Sequence, residues 1–89
     1  MSRRKVVVTT TDMSDEMQQF AVEAAYEAIR NAADNQQIAS YIRNSMLEEF
    51  PGNWHCIVGS NFGSEVTHGK RGLIFFKIAG HGVLLFRSV

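Results

Sequence analysis

Residues 54–68 read Trp54-His55-Cys56-Ile57-Val58-Gly59-Ser60-Asn61-Phe62-Gly63-Ser64-Glu65-Val66-Thr67-His68. Trp54 to Val58 alternate: Trp54, Cys56 and Val58 share one face, His55 and Ile57 the other, the period of a strand. Gly59-Ser60-Asn61 reads as a turn or crossing, and Phe62 to Thr67 as a polar, glycine-containing strand. The same stretch holds two of the three histidines and the only cysteine. It therefore raises three possibilities: an active site, a metal site, or a sheet that binds with its backbone.

Upstream, the chain is mostly helical. Val6-Val7-Val8-Thr9-Thr10 is β-branched throughout and predicts a strand. Ser14 is a good N-cap, with Asp15 and Glu16 where the helix dipole favours negative charge. Met17, Ala21, Ala24 and Ala28 then form an apolar row at helical spacing, widened by Phe20, Val22, Tyr26 and Ile29. Asp34 followed by Gln37 resembles a capping box for a second helix, whose buried side would be Ile38, Tyr41, Ile42, Met46 and Phe50. Pro51-Gly52-Asn53 stops it.

Downstream, Gly69-Lys70-Arg71-Gly72 reads as a turn. Leu73 to Ala79 and Val83 to Arg87 are strongly apolar strands joined at Gly80-His81-Gly82. The order β-α-α-β-β-β-β predicts an α+β domain, two N-terminal helices packed on a largely antiparallel sheet. Residues 1–89 form one domain. At 89 residues a domain this small often gains stability by oligomerising.

Composition narrows the function. A 45% hydrophobic content with one proline is that of a globular chain, and the formal net charge of zero argues against a nucleic-acid partner. One cysteine makes no internal disulfide, which fits a reducing compartment. The apolar run Val6–Val8 is too short for a signal-peptide core, and the apolar 73–86 stretch is broken by Lys77, Gly80, His81 and Gly82, so no membrane span is expected.

The reactive side chains do not assemble into chemistry at this level. His55 and Cys56 are strand neighbours and point to opposite faces; His68 and His81 lie across turns. No metal-ligand spacing is present, so neither a metal nor any cofactor is expected. Cys56, on the face of Trp54 and Val58, reads as a small hydrophobe. Gly59 to Gly63 lacks the Lys-Ser/Thr of a phosphate loop and leads into a strand. That leaves the sheet. Gly63-Ser64-Glu65 suits an edge strand, whose unpaired backbone groups either accept a partner strand or are blunted by the Glu65 charge. The residues alone leave both readings standing.

Asp12-Met13-Ser14-Asp15-Glu16-Met17-Gln18-Gln19, Trp54–Gly59, Asn61-Phe62-Gly63-Ser64, Val66-Thr67-His68 and Leu84-Leu85-Phe86-Arg87-Ser88 together resemble the small cytoplasmic dynein light chain family, end to end and without a gap. The resemblance implies a non-catalytic, strand-exchanged homodimer that binds the dynein intermediate chain and other proteins carrying short linear motifs. Those motifs centre on threonine–glutamine–threonine and add antiparallel to the exchanged strand. It implies a cytoplasmic location on a microtubule motor. By position it assigns peptide binding to Thr9, Thr10, Asn35, Gln36, Asn61, Phe62, Gly63, Ser64, Glu65, Val66, Thr67, His68, Phe75 and Lys77. It places His55, Asn61, Phe62, Ser64, Glu65, Thr67 and Ser88 at the dimer seam, Ser88 matching a serine proposed as a phosphorylation switch. The chain departs from the family where Gln36 replaces the usual lysine, where Glu65, Phe75 and Lys77 replace tyrosines, and where Thr9-Thr10 replaces lysine-asparagine. The implied ligand motif is accordingly a divergent one.

Overall fold

A computed structural model describes residues 6–32, 34–60 and 72–88. The elements are β1 (Val6–Thr11), α1 (Asp15–Asn31), α2 (Asn35–Glu49), β2 (Asn53–Gly59), β3 (Ile74–Ile78) and β4 (His81–Ser88). The strands form one antiparallel sheet in the order β1-β3-β4-β2, with both helices on one face. This is the α+β class expected from the residue order. The expected strand over Phe62–Thr67 lies outside the described residues.

Local chemistry sets both helix starts. Ser14 Oγ accepts from the Met17 amide at 3.2 Å, and Asp34 Oδ1 accepts from the Gln37 amide at 2.9 Å. The buried row of α1 is Ala21, Ala24, Ala25 and Ala28. Four side chains of one carbon each let this helix approach its neighbours closely. In α2 the buried residues are Ile38, Ile42 and Met46, spaced at i, i+4 and i+8. Tyr41 was expected beside them and is instead 43% exposed. Its Cα sits about a quarter turn away from the Ile38–Ile42–Met46 row, which turns the ring toward the surface.

The helices cover Trp54, Ile74, Phe76, Ile78, Val83 and Leu85, the inward positions of β2, β3 and β4. Burying each such side chain contributes about 1.5–3 kcal/mol. Trp54 ties the layers together. Its Nε1 donates to the Phe50 carbonyl at 3.2 Å, and the Arg87 guanidinium lies 5.2 Å from the ring centre. Arg87 Nη1 also donates to the Pro51 carbonyl at 3.0 Å. Its aliphatic stem runs so close to Gly52 that a Cβ there would collide with Arg87 Cδ, and Gly52 has φ +130°.

The β3–β4 turn differs from expectation. It is the two-residue turn Ala79-Gly80, with φ of 53° and 81°, and His81 and Gly82 belong to β4. Two positive φ values are those of a type I′ turn, whose twist matches the paired strands. Placing Ala79 there costs on the order of 1 kcal/mol. The tight turn brings His81 and Gly82 into register with Ile78 and Lys77, lengthening the ladder.

A two-residue turn also fixes which way every backbone group points. Its closing pair, Ile78–His81, is a hydrogen-bonded pair, so Phe76–Val83 and Ile74–Leu85 are too. Lys77 and Phe75 then face β1, and Leu84, Phe86 and Ser88 face β2 through Ile57, His55 and Asn53. The Asp12 amide donating to the Leu73 carbonyl at 3.0 Å continues the same alternation. It follows that Trp54, Cys56 and Val58 aim their N–H and C=O groups outward. Among the described residues β2 is an edge strand, and no strand pairs with that outer side.

Candidate interaction surface

The sheet face away from the helices is built from the alternate positions. Across the strands, Val7, Lys77, Gly82 and Gly59 form one row, and Thr10, Phe75, Leu84 and Ile57 the next; Phe86 and His55 pair beyond them. A sheet that faces water on this side would be polar here. This one is not: Ile57 is 50% exposed and Val7 is 48% exposed, while Leu84 and Phe86 are half-buried. The outer face therefore carries an apolar patch beside the exposed Lys77 and His55, and among the described residues it adjoins the unpaired β2 edge.

His55 stands on this outer face as alternation predicts. It is exposed, stacks on Phe86 with ring centres 5.1 Å apart, and its Nε2 lies 3.0 Å from Ser88 Oγ. The sequence-assigned seam residues His55 and Ser88, 33 positions apart, are thus in contact. Cys56 projects the other way and packs against the core. Burial pushes its thiol from 9.0 up to about 12. A thiol held that high is largely protonated at neutral pH and a poor nucleophile there. Among the described residues no three His, Cys, Asp or Glu side chains come together.

The raised thiol has a stability consequence. A folded pKa above the unfolded one means that the thiol's contribution is complete below about pH 9. It is lost as pH rises toward about 12, because the unfolded chain ionises first. Wild type is expected to lose on the order of 1 kcal/mol more than Cys56→Ala between pH 8 and pH 10. Urea midpoints at the two pH values measure this; equal losses would mean that the thiol is solvated.

The other assigned residues are spread over three elements. Thr9 is exposed and occupies the bulge of β1, where register shifts between Val8 and Thr10. Lys77 is exposed on the outer face, beside Val7 and Gly82. Phe75 shares that face and is 3% exposed. Asn35 and the exposed Gln36 open α2. The chain reverses at Pro51-Gly52 and α2 packs on β2, so these two lie toward the Gly59 end of that strand. Asn61, Phe62, Gly63, Ser64, Glu65, Val66, Thr67 and His68 lie outside the described residues.

Ile57, Leu84 and Phe86, the apolar patch of the outer face, were not among the residues the sequence reading assigned to an interaction surface. Their signal was present: the runs 73–76 and 83–86 are apolar at every position, which is the pattern of strands covered on both faces.

Two helices on one side of an antiparallel sheet, an apolar patch on the other face and, among the described residues, an unpaired β2 edge define a small domain suited to adaptor or dimerisation work. The chain belongs to the family described as dynein light chain type 1, which it matches over residues 5–88. That family is generally non-catalytic, and its members typically form dimers and bind partner proteins. The fold is similar to the dynein light chain-like domain of the Fasciola hepatica calcium binding protein FhCaBP2. The TM-score is 0.83 at 21% identity, covering 97% of this chain and 93% of that one. It is also similar to the corresponding domain of CsTAL3, with a TM-score of 0.79 at 15% identity over 93% of this chain and 92% of the other. No helix among the described residues is long and apolar enough to cross a membrane.

Proposed function

We propose that this chain works as a homodimeric dynein light chain that holds short linear peptides by strand addition. In this reading it serves the dynein intermediate chain and other motif-bearing proteins in the cytoplasm, on microtubule motors. The observation that carries the reading is the apolar patch of exposed Ile57 with half-buried Leu84 and Phe86 on the outer face, lying next to an edge of β2 that is unpaired among the described residues. A second copy covers such a face and supplies an edge strand at once. Apolar area buried there contributes about 25 cal/mol per Å² before the cost of association. Sedimentation at micromolar concentration is expected to give twice the 10.0 kDa chain mass. A monomer under those conditions would remove the proposal.

Peptide binding is the finer part of the reading. Backbone pairing is indifferent to side chains, so a groove strand over Phe62–Thr67 accepts an extended peptide even where Gln36, Glu65 and Lys77 depart from the family. Glu65 then tunes the choice. A carboxylate in place of an aromatic ring weakens acidic ligands and favours those carrying Lys or Arg nearby, by on the order of 1 kcal/mol for a solvated rim charge. Calorimetry with matched acidic and basic peptides built around a threonine–glutamine–threonine core measures this on wild type and Glu65→Tyr. An affinity ratio unmoved by the substitution would assign Glu65 to edge protection alone. Absence of any peptide binding by a dimer would favour a purely structural dimeric subunit.

A further inference from the structure

Arg87 lies on the helix side of the sheet, opposite Trp54, at the end of β4 that pairs with Asn53. The turn parity makes Arg87–Trp54 a non-hydrogen-bonded pair, the kind that brings side chains closest, and the guanidinium lies 5.2 Å from the indole centre. Two glycines flank the side chain. A Cβ on Gly52 would collide with Arg87 Cδ, and one on Gly72 would stand 3.3 Å from Arg87 Nε. Both have positive φ, +130° and +65°, so a side chain is disfavoured at either. At the tip, Nη1 donates to the Pro51 carbonyl at 3.0 Å, in a bond that is itself exposed. The side chain is thus fixed from stem to tip, while the turn around it, Pro51-Gly52-Asn53, faces water.

The cation so fixed has no anion: among the described residues no carboxylate pairs with Arg87. One carbonyl also leaves most of the guanidinium donors unused. We infer that Arg87 is a docking point for an aspartate or glutamate side chain of a partner protein. A carboxylate accepts two parallel bonds from a guanidinium, and a fork that is already held loses little freedom on binding. The charge count favours a carboxylate over a phosphate, because Arg87 stands without a second free cation. Lys77 is on the other face of the sheet, and Arg43 Nε is committed to the Trp54 carbonyl at 3.0 Å. A chain-terminal carboxylate is ordinarily captured by a nest of backbone N–H groups. The turn here presents a proline, which has none, and a carbonyl. The site lies on the opposite side of the sheet from Ile57, Leu84 and Phe86, so it stands independently of the dimer reading.

Trp54 is the one tryptophan of the chain and lies against the guanidinium, so its fluorescence reports the site. The full chain is titrated at neutral pH with N-acetyl-aspartate amide, whose single carboxylate is the side chain's. N-acetylglycine and inorganic phosphate are the comparison probes, and sodium chloride holds ionic strength constant. Half-saturation by the aspartate probe is expected on the order of tens of millimolar, the strength of one charge-assisted bidentate contact, and roughly threefold or more below that of either comparison probe. The Arg87 side-chain NMR signals of the wild type are expected to shift with the same midpoint, which frees the test from the folding of any variant. Arg87→Lys keeps the charge without the fork and is expected to bind roughly fivefold more weakly; Arg87→Gln is expected to abolish saturation. No saturable change in the wild-type NMR signals beyond the chloride control overturns the proposal. Phosphate binding as tightly as the aspartate probe overturns the carboxylate class, and tighter N-acetylglycine overturns the side-chain source. Saturation that persists in a folded Arg87→Gln variant overturns the assignment to Arg87.

Discussion

In the proposed dimer, Ile57→Lys is expected to give a monomer, raising the dissociation constant more than about a hundredfold, or about 3 kcal/mol. The side chain is 50% exposed in the single chain, on the outer face between Leu84 and the open edge. A lysine there is solvated in the monomer and costs the fold little. In a dimer that covers this face, the charge is desolvated without a partner, and two-fold symmetry imposes the penalty twice. Ile57→Val, which keeps the apolar character, is expected to dimerise nearly as wild type. Sedimentation velocity across a concentration series reads the association. Thermal unfolding at fixed concentration, read beside that of a dilute wild-type monomer, checks that the monomeric fold persists. A variant that dimerises as tightly as wild type would show that the outer face is not the seam, whatever the oligomeric state.

Trp54→Ala is expected to destabilise the chain by about 3–5 kcal/mol, a large part of the total stability of a domain this size. Trp54 is 1% exposed, and it is among the largest fully buried side chains. Truncation leaves a cavity under β2, orphans the Phe50 carbonyl that Nε1 donates to, and removes the ring beneath the Arg87 guanidinium. The Gly52–Arg87 approach loses its support with it. Trp54→Phe retains an aromatic ring without the indole donor and is expected to cost roughly 1–2 kcal/mol. Chemical denaturation with a constant slope separates these losses from changes in the unfolded state. A cost for Trp54→Ala below that of Trp54→Phe would mean that the indole is strained in place rather than packed.

The two helices, the strand class and the packing of Cys56 were legible from sequence because each depends on residues a few positions apart. Ser14 and Asp34 cap their own first turns, reaching amides three residues on. Trp54, Cys56 and Val58 share a face because a strand alternates, and that same alternation put His55 and Ile57 on the other side. What only the tertiary structure decided are the features that join distant positions. Among the described residues the order β1-β3-β4-β2 makes β2 an edge, which no local pattern encodes. Tyr41 turns outward because Ile38, Ile42 and Met46 already fill the space over the sheet. Phe75 and Lys77 sit on the same face of β3, yet Phe75 is buried and Lys77 is exposed, a difference that alternation alone does not give. Arg43 meets the Trp54 carbonyl, and His55 meets Ser88, only after α2 and β4 have packed and paired with β2. Capping and alternation are set by the geometry of one short segment, whereas edge, burial and long-range contacts follow from how whole elements compete for the same core.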